Sequence, residues 1–140
     1  MLADISKIER VVIHTDGASR GNPGPAAIGA TIKDGQGNII TSISQRIGRT
    51  TNNQAEYRAI IAALEEVIRL GAKQVELYAD SELVVRQLNG QYRVKNTALR
   101  PLYQRVKQLQ SFLDSATTIH IPRQQNTEAD ILANIALDTI

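Results

Sequence analysis

A chain of 140 residues, 42% hydrophobic and 21% charged, suits one folded domain with a sizeable core and excludes a disordered or fibrous polymer. It holds no cysteine, which excludes disulfides and thiolate metal sites, and no apolar run approaches the roughly 18 residues that span a bilayer. Its 16 Lys and Arg against 14 Asp and Glu leave a net charge of +2, too small by itself to name a partner. Met1-Leu2-Ala3-Asp4 lacks the basic and then apolar blocks of a signal peptide, so the expectation is a cytoplasmic protein with no membrane attachment and no obligate protein partner.

In chain order, Arg10–Thr15 is short, apolar and β-branched, which predicts a buried strand. The strand is expected to stop at Asp16-Gly17, ahead of the turn formers Gly21-Asn22-Pro23-Gly24-Pro25. Two more strands are expected near 26–33 and 38–47, joined as a hairpin by Asp34-Gly35-Gln36-Gly37. From about Asn52 to Leu70 the period becomes helical: Ile60, Leu64 and Val67 form one apolar stripe, and Gly71 stands where a C-terminal cap belongs. Val75–Ala79 is another short strand ending at Asp80, and Ser81 can cap a helix to about Leu88. A further helix is expected over about 98–112, a fifth strand over 117–121, and a last helix from Asn126 through Leu137. The order β-β-β-α-β-α-α-β-α predicts one α/β domain over 1–140. Its single five-stranded mixed sheet has an antiparallel hairpin first and parallel strands later, flanked by helices.

Asp16 and Asp80 each follow an apolar strand, the place where open α/β sheets gather their sites. Either one alone is as readily a turn or cap residue. Glu56 lies four residues before Ile60, in line with the apolar stripe, so its helix carries a carboxylate inward. Asp130 shares a helix face with Ala133 and Leu137. A buried carboxylate is costly unless it is paired or bound to a cation, and Arg58 and Arg123 are candidate ion-pair partners. If all four acids converge, they repel one another until positive charge compensates. A hard divalent cation such as Mg²⁺ would compensate them, and two such ions about 4 Å apart are suited to phosphodiester cleavage. The set therefore points to a metal-dependent phosphoryl-transfer centre. With four acids set aside as ligands, ten remain against 16 basic residues, a modestly basic surface of the kind a nucleic-acid enzyme needs. His14 and His120 fall within strands and are expected to pack rather than ligate. Gly21–Pro25 is not followed by Gly-Lys-Ser/Thr, which argues against a nucleotide triphosphatase.

Four blocks in order carry a family resemblance. They are Thr15–Ser19 with Gly21–Pro25; Thr51-Asn52-Asn53-Gln54-Ala55-Glu56; Tyr78-Ala79-Asp80-Ser81; and Asn126-Thr127-Glu128-Ala129-Asp130 with Leu132-Ala133-Asn134. Over nearly its whole length the chain resembles the type 1 ribonuclease H family. The resemblance implies a ribonuclease H-like fold and an endoribonuclease that hydrolyses the RNA strand of RNA/DNA hybrids, leaving 5′-phosphate and 3′-hydroxyl ends. It carries the family's metal-binding and catalytic acids onto Asp16, Glu56, Asp80 and Asp130, with Asp16 bridging two Mg²⁺ ions and Mn²⁺ as a substitute. It also implies that Asn22, Asn52, Asn53 and Gln54 read the RNA 2′-hydroxyl, for which small polar side chains are suited. Arg49, Thr51 and Asn96 match a pocket that grips a phosphate of the DNA strand.

Two departures from the family pattern stand out. Many relatives carry a basic, Trp-containing loop that holds the hybrid, whereas here Leu88–Lys95 passes almost directly onward and the chain has no Trp. A compact form of this kind is expected to hold the hybrid less tightly and to admit double-stranded RNA as a second substrate. Some relatives also place a His before the fourth acid, where this chain has Pro122-Arg123-Gln124-Gln125-Asn126. Arg123 is either a phosphate contact in its place or a solvated loop arginine. The alternatives are a non-catalytic RNA/DNA hybrid-binding module of the same fold, which is expected to lose an acid, and a different nuclease on this scaffold.

Overall fold

The structure, a computed structural model, describes residues 8–139, so Met1–Asp4 lie outside the described range. Strand β1 (Arg10–Ser19) forms the centre of a five-stranded sheet of order β3-β2-β1-β4-β5. It pairs antiparallel with β2 (Gly24–Asp34), which pairs antiparallel with β3 (Ile39–Thr50). On its other side β1 pairs parallel with β4 (Gln74–Ala79), and β4 pairs parallel with β5 (Ser115–His120). The helices are α1 (Asn52–Arg69), α2 (Glu82–Leu88), α3 (Arg100–Gln110) and α4 (Thr127–Asp138). This is the expected mixed sheet flanked by helices.

Inward positions alternate along the strands as the pleat requires. Val11, Ile13, Ile32, Val75 and Leu77 meet Tyr57, Ile60, Leu64 and Val67 of α1 in the main core. A smaller cluster of Ala27, Ala136 and Leu137 lies under α4. Thr51 caps α1, accepting from the Gln54 amide at 3.3 Å, and Gly71, just past its end, takes φ +90°. Ser81 caps α2 by accepting from Val84 N at 3.4 Å. No helix among the described residues is long and apolar enough to cross a membrane.

The first strand departs from expectation. It does not stop before Asp16 but runs on to Ser19, with Asp16 paired to Gly29 and Gly17 to Ile28. The parallel ladder to β4 ends at Thr15 and Ala79, while the antiparallel ladder to β2 continues past it. Asp16 is thus the first residue of β1 beyond the reach of β4, at the sheet end where Asp80 follows that strand. Gly24 and Pro25, expected in a turn, already belong to β2, and β3 runs on to Thr50. The stretch between α2 and α3 contains no helix or strand, and α3 begins only at Arg100.

Candidate active site

Two glycines let the helices close on the sheet. A Cβ at Gly17 would lie 2.2 Å from the Ala55 carbonyl carbon and 2.4 Å from the Glu56 nitrogen. One at Gly29 would lie 2.2 Å from the Ala129 oxygen and 2.6 Å from the Ala133 nitrogen. Both distances are impossible for a real side chain, so only glycine admits these backbones. Gly17 pairs with Ile28, whose neighbour on β2 is Gly29, so α1 and α4 sit on opposite faces of the sheet. Asp16, between Thr15 and Gly17 and opposite Gly29, is therefore approached by Glu56 from one face and Asp130 from the other.

Asp16, Glu56 and Asp80 each offer a carboxylate oxygen, and these oxygens all lie within 4.8 Å of one another. Asp16 and Glu56 are buried and Asp80 is half-buried. Burial, with the nearby Asp80 and Asp130 carboxylates adding to it, pushes the Asp16 carboxyl up to about 7. Glu56 is pushed well above the usual carboxylate range, first by burial and then by the Asp16 charge. Its Oε2 is buried without a hydrogen-bond partner. The three acids open into a cleft of about 350 Å³ that Arg123, Asp130 and Asn134 also line.

The arrangement of acids suits a divalent cation. Three hard oxygen donors converge, one buried oxygen lacks a partner, and no Lys or Arg pairs with any of the three among the described residues. Asp130 stands at the edge of this cluster. It is half-buried, accepts from Asn134 Nδ2 at 3.1 Å, and lies 3.8 Å from the exposed Arg123 guanidinium. Of the two expected ion-pair partners, Arg123 takes that role. Arg58 instead reaches the Ile47 carbonyl at 3.5 Å on the surface, because it points away from the stripe that carries Glu56 inward.

Asn126 is a residue that the sequence pattern undervalues. It was expected only to open the last helix, yet its side chain makes no cap hydrogen bond. It is 2% exposed, and its Nδ2 donates to the Thr15 carbonyl and to Asp80 Oδ2, both at 2.8 Å. It thereby ties the segment before α4 to the ends of β1 and β4 and orients the Asp80 carboxylate. The available signal was its place in the fourth block, four residues before Asp130.

The expected substrate-binding residues fall into three groups. Asn22, Arg49, Thr51, Asn52, Asn53 and Gln54 gather at the start of α1. Asn22 Oδ1 accepts from Asn52 N at 3.1 Å, Arg49 reaches the Pro23 carbonyl at 3.5 Å, and the Thr50 hydroxyl donates to Gln54 Oε1. Arg123 belongs to the acid cleft. Asn96 lies in the segment before α3, where its Oδ1 accepts from Ala98 N at 2.8 Å and Leu99 N at 3.3 Å. No hydrogen bond joins it to Arg49 or Thr51 among the described residues. His14 stacks on Tyr78 with ring centroids 5.0 Å apart, and His120 is exposed on β5; neither joins the acids.

The Reverse transcriptase-like family profile matches residues 14–136. The type 1 ribonuclease H of the archaeon Halobacterium salinarum is 47% identical in its crystal structure, with a TM-score of 0.90 over 92% of this chain and 98% of that one. The chain belongs to the type 1 ribonuclease H family. Another ribonuclease H domain, the N-terminal one of a Mycobacterium tuberculosis protein, is 44% identical with a TM-score of 0.89, covering 92% of this chain and 99% of that one. A type 1 ribonuclease H isolated from compost, solved in complex with an RNA/DNA hybrid, is 43% identical with a TM-score of 0.87 over 91% and 96% of the two chains. Curated relatives are longer: the chain spans 65% of the Halobacterium ribonuclease HI and 36% of the bifunctional mycobacterial protein.

Proposed function

We propose that the protein is an endoribonuclease hydrolysing the RNA strand of RNA/DNA hybrids to 5′-phosphate and 3′-hydroxyl ends. Two Mg²⁺ ions would be held by Asp16, Glu56, Asp80 and Asp130, with Mn²⁺ as a substitute. The carrying observation is the buried, unpartnered Glu56 oxygen inside a carboxylate cluster that no basic side chain neutralises. Divalent ions bound there would supply the missing positive charge and lower the pKa of an attacking water. The hybrid-bound compost relative supports the choice of substrate.

The chain's own residues divide the work. Asp16, reached from both faces of the sheet, would be placed to ligate either ion. Glu56 and Asp80 complete the inner set, and Asn126 holds the Asp80 carboxylate in one orientation. Arg123, exposed beside Asp130, is placed to meet a backbone phosphate near the scissile bond. At the start of α1, the free amide nitrogens of Asn22 and Gln54 and the side chains of Asn52 and Asn53 can read the 2′-hydroxyl, which both donates and accepts. Arg49, Thr51 and the Asn96 amide nitrogen would take a DNA-strand phosphate. The convergence of Asp16, Glu56 and Asp80, with Asp130 lining the same cleft, argues against a purely hybrid-binding module.

The test is cleavage of a labelled RNA/DNA hybrid with Mg²⁺ or Mn²⁺ by the wild type and by Asp80→Asn. Cutting of the RNA strand alone is expected, reduced on the order of 10³-fold in the variant. Binding without cutting in either metal would sink the catalytic reading, and cutting that survives Asp80→Asn would displace the metal site. Equal rates on double-stranded RNA would remove the expected preference for hybrids.

A further inference from the structure

Helix α4 carries three acids, Glu128, Asp130 and Asp138, and no Lys or Arg. Each acid pairs with a cation from elsewhere in the fold: Lys33 lies 3.1 Å from Glu128, Arg123 lies 3.8 Å from Asp130, and Arg20 pairs with Asp138. Arg20 and Arg123 are the two basic side chains that line the acid cleft, whereas Lys33 and Asp138 do not line it. Asp130, Asn134 and Asp138 recur every four residues and so form one stripe of α4, about 12 Å long. Arg123 therefore meets this stripe at one end and Arg20 at the other.

The helix itself does not call for Asp138. That acid ends α4, where the helix dipole favours a cation and opposes a carboxylate. Its pair with Arg20 is open to solvent, with the Arg20 side chain 50% and the Asp138 side chain 64% exposed, so it contributes little to stability and breaks readily. The backbone beneath Arg20 is held firmly by contrast. Arg20 N donates to the Pro25 carbonyl at 2.8 Å, and Ala18 packs against the Ala27, Ala136 and Leu137 cluster. Only the guanidinium has to swing for Arg20 to leave its acid. A duplex seated at the carboxylates presents phosphates at fixed places, so exchanging an exposed carboxylate for one of them costs little.

We propose that Arg20 contacts a backbone phosphate of the bound hybrid, and that Asp138 is the resting counter-ion which that phosphate displaces. The inference rests on the nuclease reading above and adds a cation whose availability is set by an acid outside the cleft. It is tested by fluorescence anisotropy in EDTA with a labelled blunt RNA/DNA hybrid, at about 0.1 M salt, where charges more than about 10 Å apart are largely screened. Asp138→Asn should tighten binding about threefold, because Arg20 no longer has to leave an acid. Arg20→Gln should weaken it about fivefold and reduce the salt slope by about one unit. The double variant should bind like Arg20→Gln alone, since the gain from removing Asp138 passes through Arg20. Glu128→Gln makes the same charge change on the same helix but frees Lys33, which does not line the cleft, and should leave affinity nearly unchanged. Weaker, unchanged or absent binding by Asp138→Asn overturns the proposal, and a merely structural ion pair would give that result. An equal gain from Glu128→Gln, or a gain that persists without Arg20, overturns it as well. Thermal melts confirm that each variant is folded; if Arg20→Gln is not, the sign of the Asp138→Asn effect still decides. Cleavage in Mg²⁺ is followed in parallel. A wild type that binds without cutting, with the Asp138→Asn gain intact, would count against the nuclease reading alone, and cutting without that gain against this proposal alone.

Discussion

Glu56 and Asp130 approach Asp16 from opposite faces of the same sheet, yet they sit in opposite chemical settings. Glu56 rides on the buried side of α1, 3% exposed, with one oxygen lacking any partner. Asp130 stands half-buried on α4 and is already satisfied by Asn134 and Arg123. A carboxylate of the first kind destabilises the metal-free protein and is tolerated when a cation is to bind, whereas one of the second kind is at rest without a cation. On the proposed function, the inner cluster would be preorganised for a divalent cation, and the rim acid would be placed to change partners when cation and phosphate bind.

The sharpest way to break this comparison is to neutralise each acid in turn. Glu56→Gln should reduce hybrid cleavage on the order of 10³-fold, yet raise the melting temperature of the metal-free protein near neutral pH, because the amide is buried uncharged without taking up a proton. Asp130→Asn should cost roughly 10- to 100-fold in cleavage and leave metal-free stability nearly unchanged. Thermal melts in EDTA with single-turnover cleavage in Mg²⁺ separate the two. Equal responses would mean that the burial difference carries no functional weight.

A smaller effect distinguishes the two seats. Gly17→Ala and Gly29→Ala each force backbone apart and should destabilise the fold by about 1–3 kcal/mol in denaturant titrations. Their effects on metal should differ. Gly17→Ala moves the start of α1 and with it Glu56, so it should weaken Mg²⁺ binding measured by calorimetry. Gly29→Ala displaces α4 and Asp130 while sparing the inner three acids. Identical Mg²⁺ affinities in the two variants would refute the assignment of α1 to the inner cluster.

The four acids were legible because each sits where a period breaks or a carboxylate falls on an apolar stripe, and because the four blocks occur in family order. The element order was legible for similar reasons. What escaped is tertiary. Nothing local in Asp16-Gly17 tells a turn from a strand that carries on along a single neighbour; that depends on β2 outlasting β4. Gly17 and Gly29 look like ordinary turn or strand glycines until the backbones of α1 and α4 are seen against them. Asn126 resembles a helix cap, and only the assembled sheet shows its amide spanning Thr15 and Asp80.

The mildest prediction concerns pH. In the metal-free protein burial raises Asp16 to about 7 and also raises Glu56 well above the ordinary carboxylate value near 4. A raised folded-state pKa means that the native protein holds these protons more tightly than the unfolded chain does. Their contribution to stability is fully present below about pH 4 and is lost as the pH rises through about 7. Asp34 and Glu66, both lowered by hydrogen bonds, act in the opposite sense, but their contributions are lost only as the pH falls below the ordinary carboxylate range. His14, lowered by burial, opposes the acids as the pH falls through the ordinary imidazole value near 6.5, because charging it favours the unfolded chain. The melting temperature with Mg²⁺ minus that without it removes these shared terms. Mg²⁺ must displace the extra protons, so at a fixed concentration near ten times its pH 8 dissociation constant it should raise Tm by about 4–5 °C at pH 8 and under about 1 °C at pH 5. In Glu56→Gln the increment should shrink at every pH. An increment in the wild type that stays flat from pH 5 to pH 8 would mean that the inner carboxylates are not the metal's ligands.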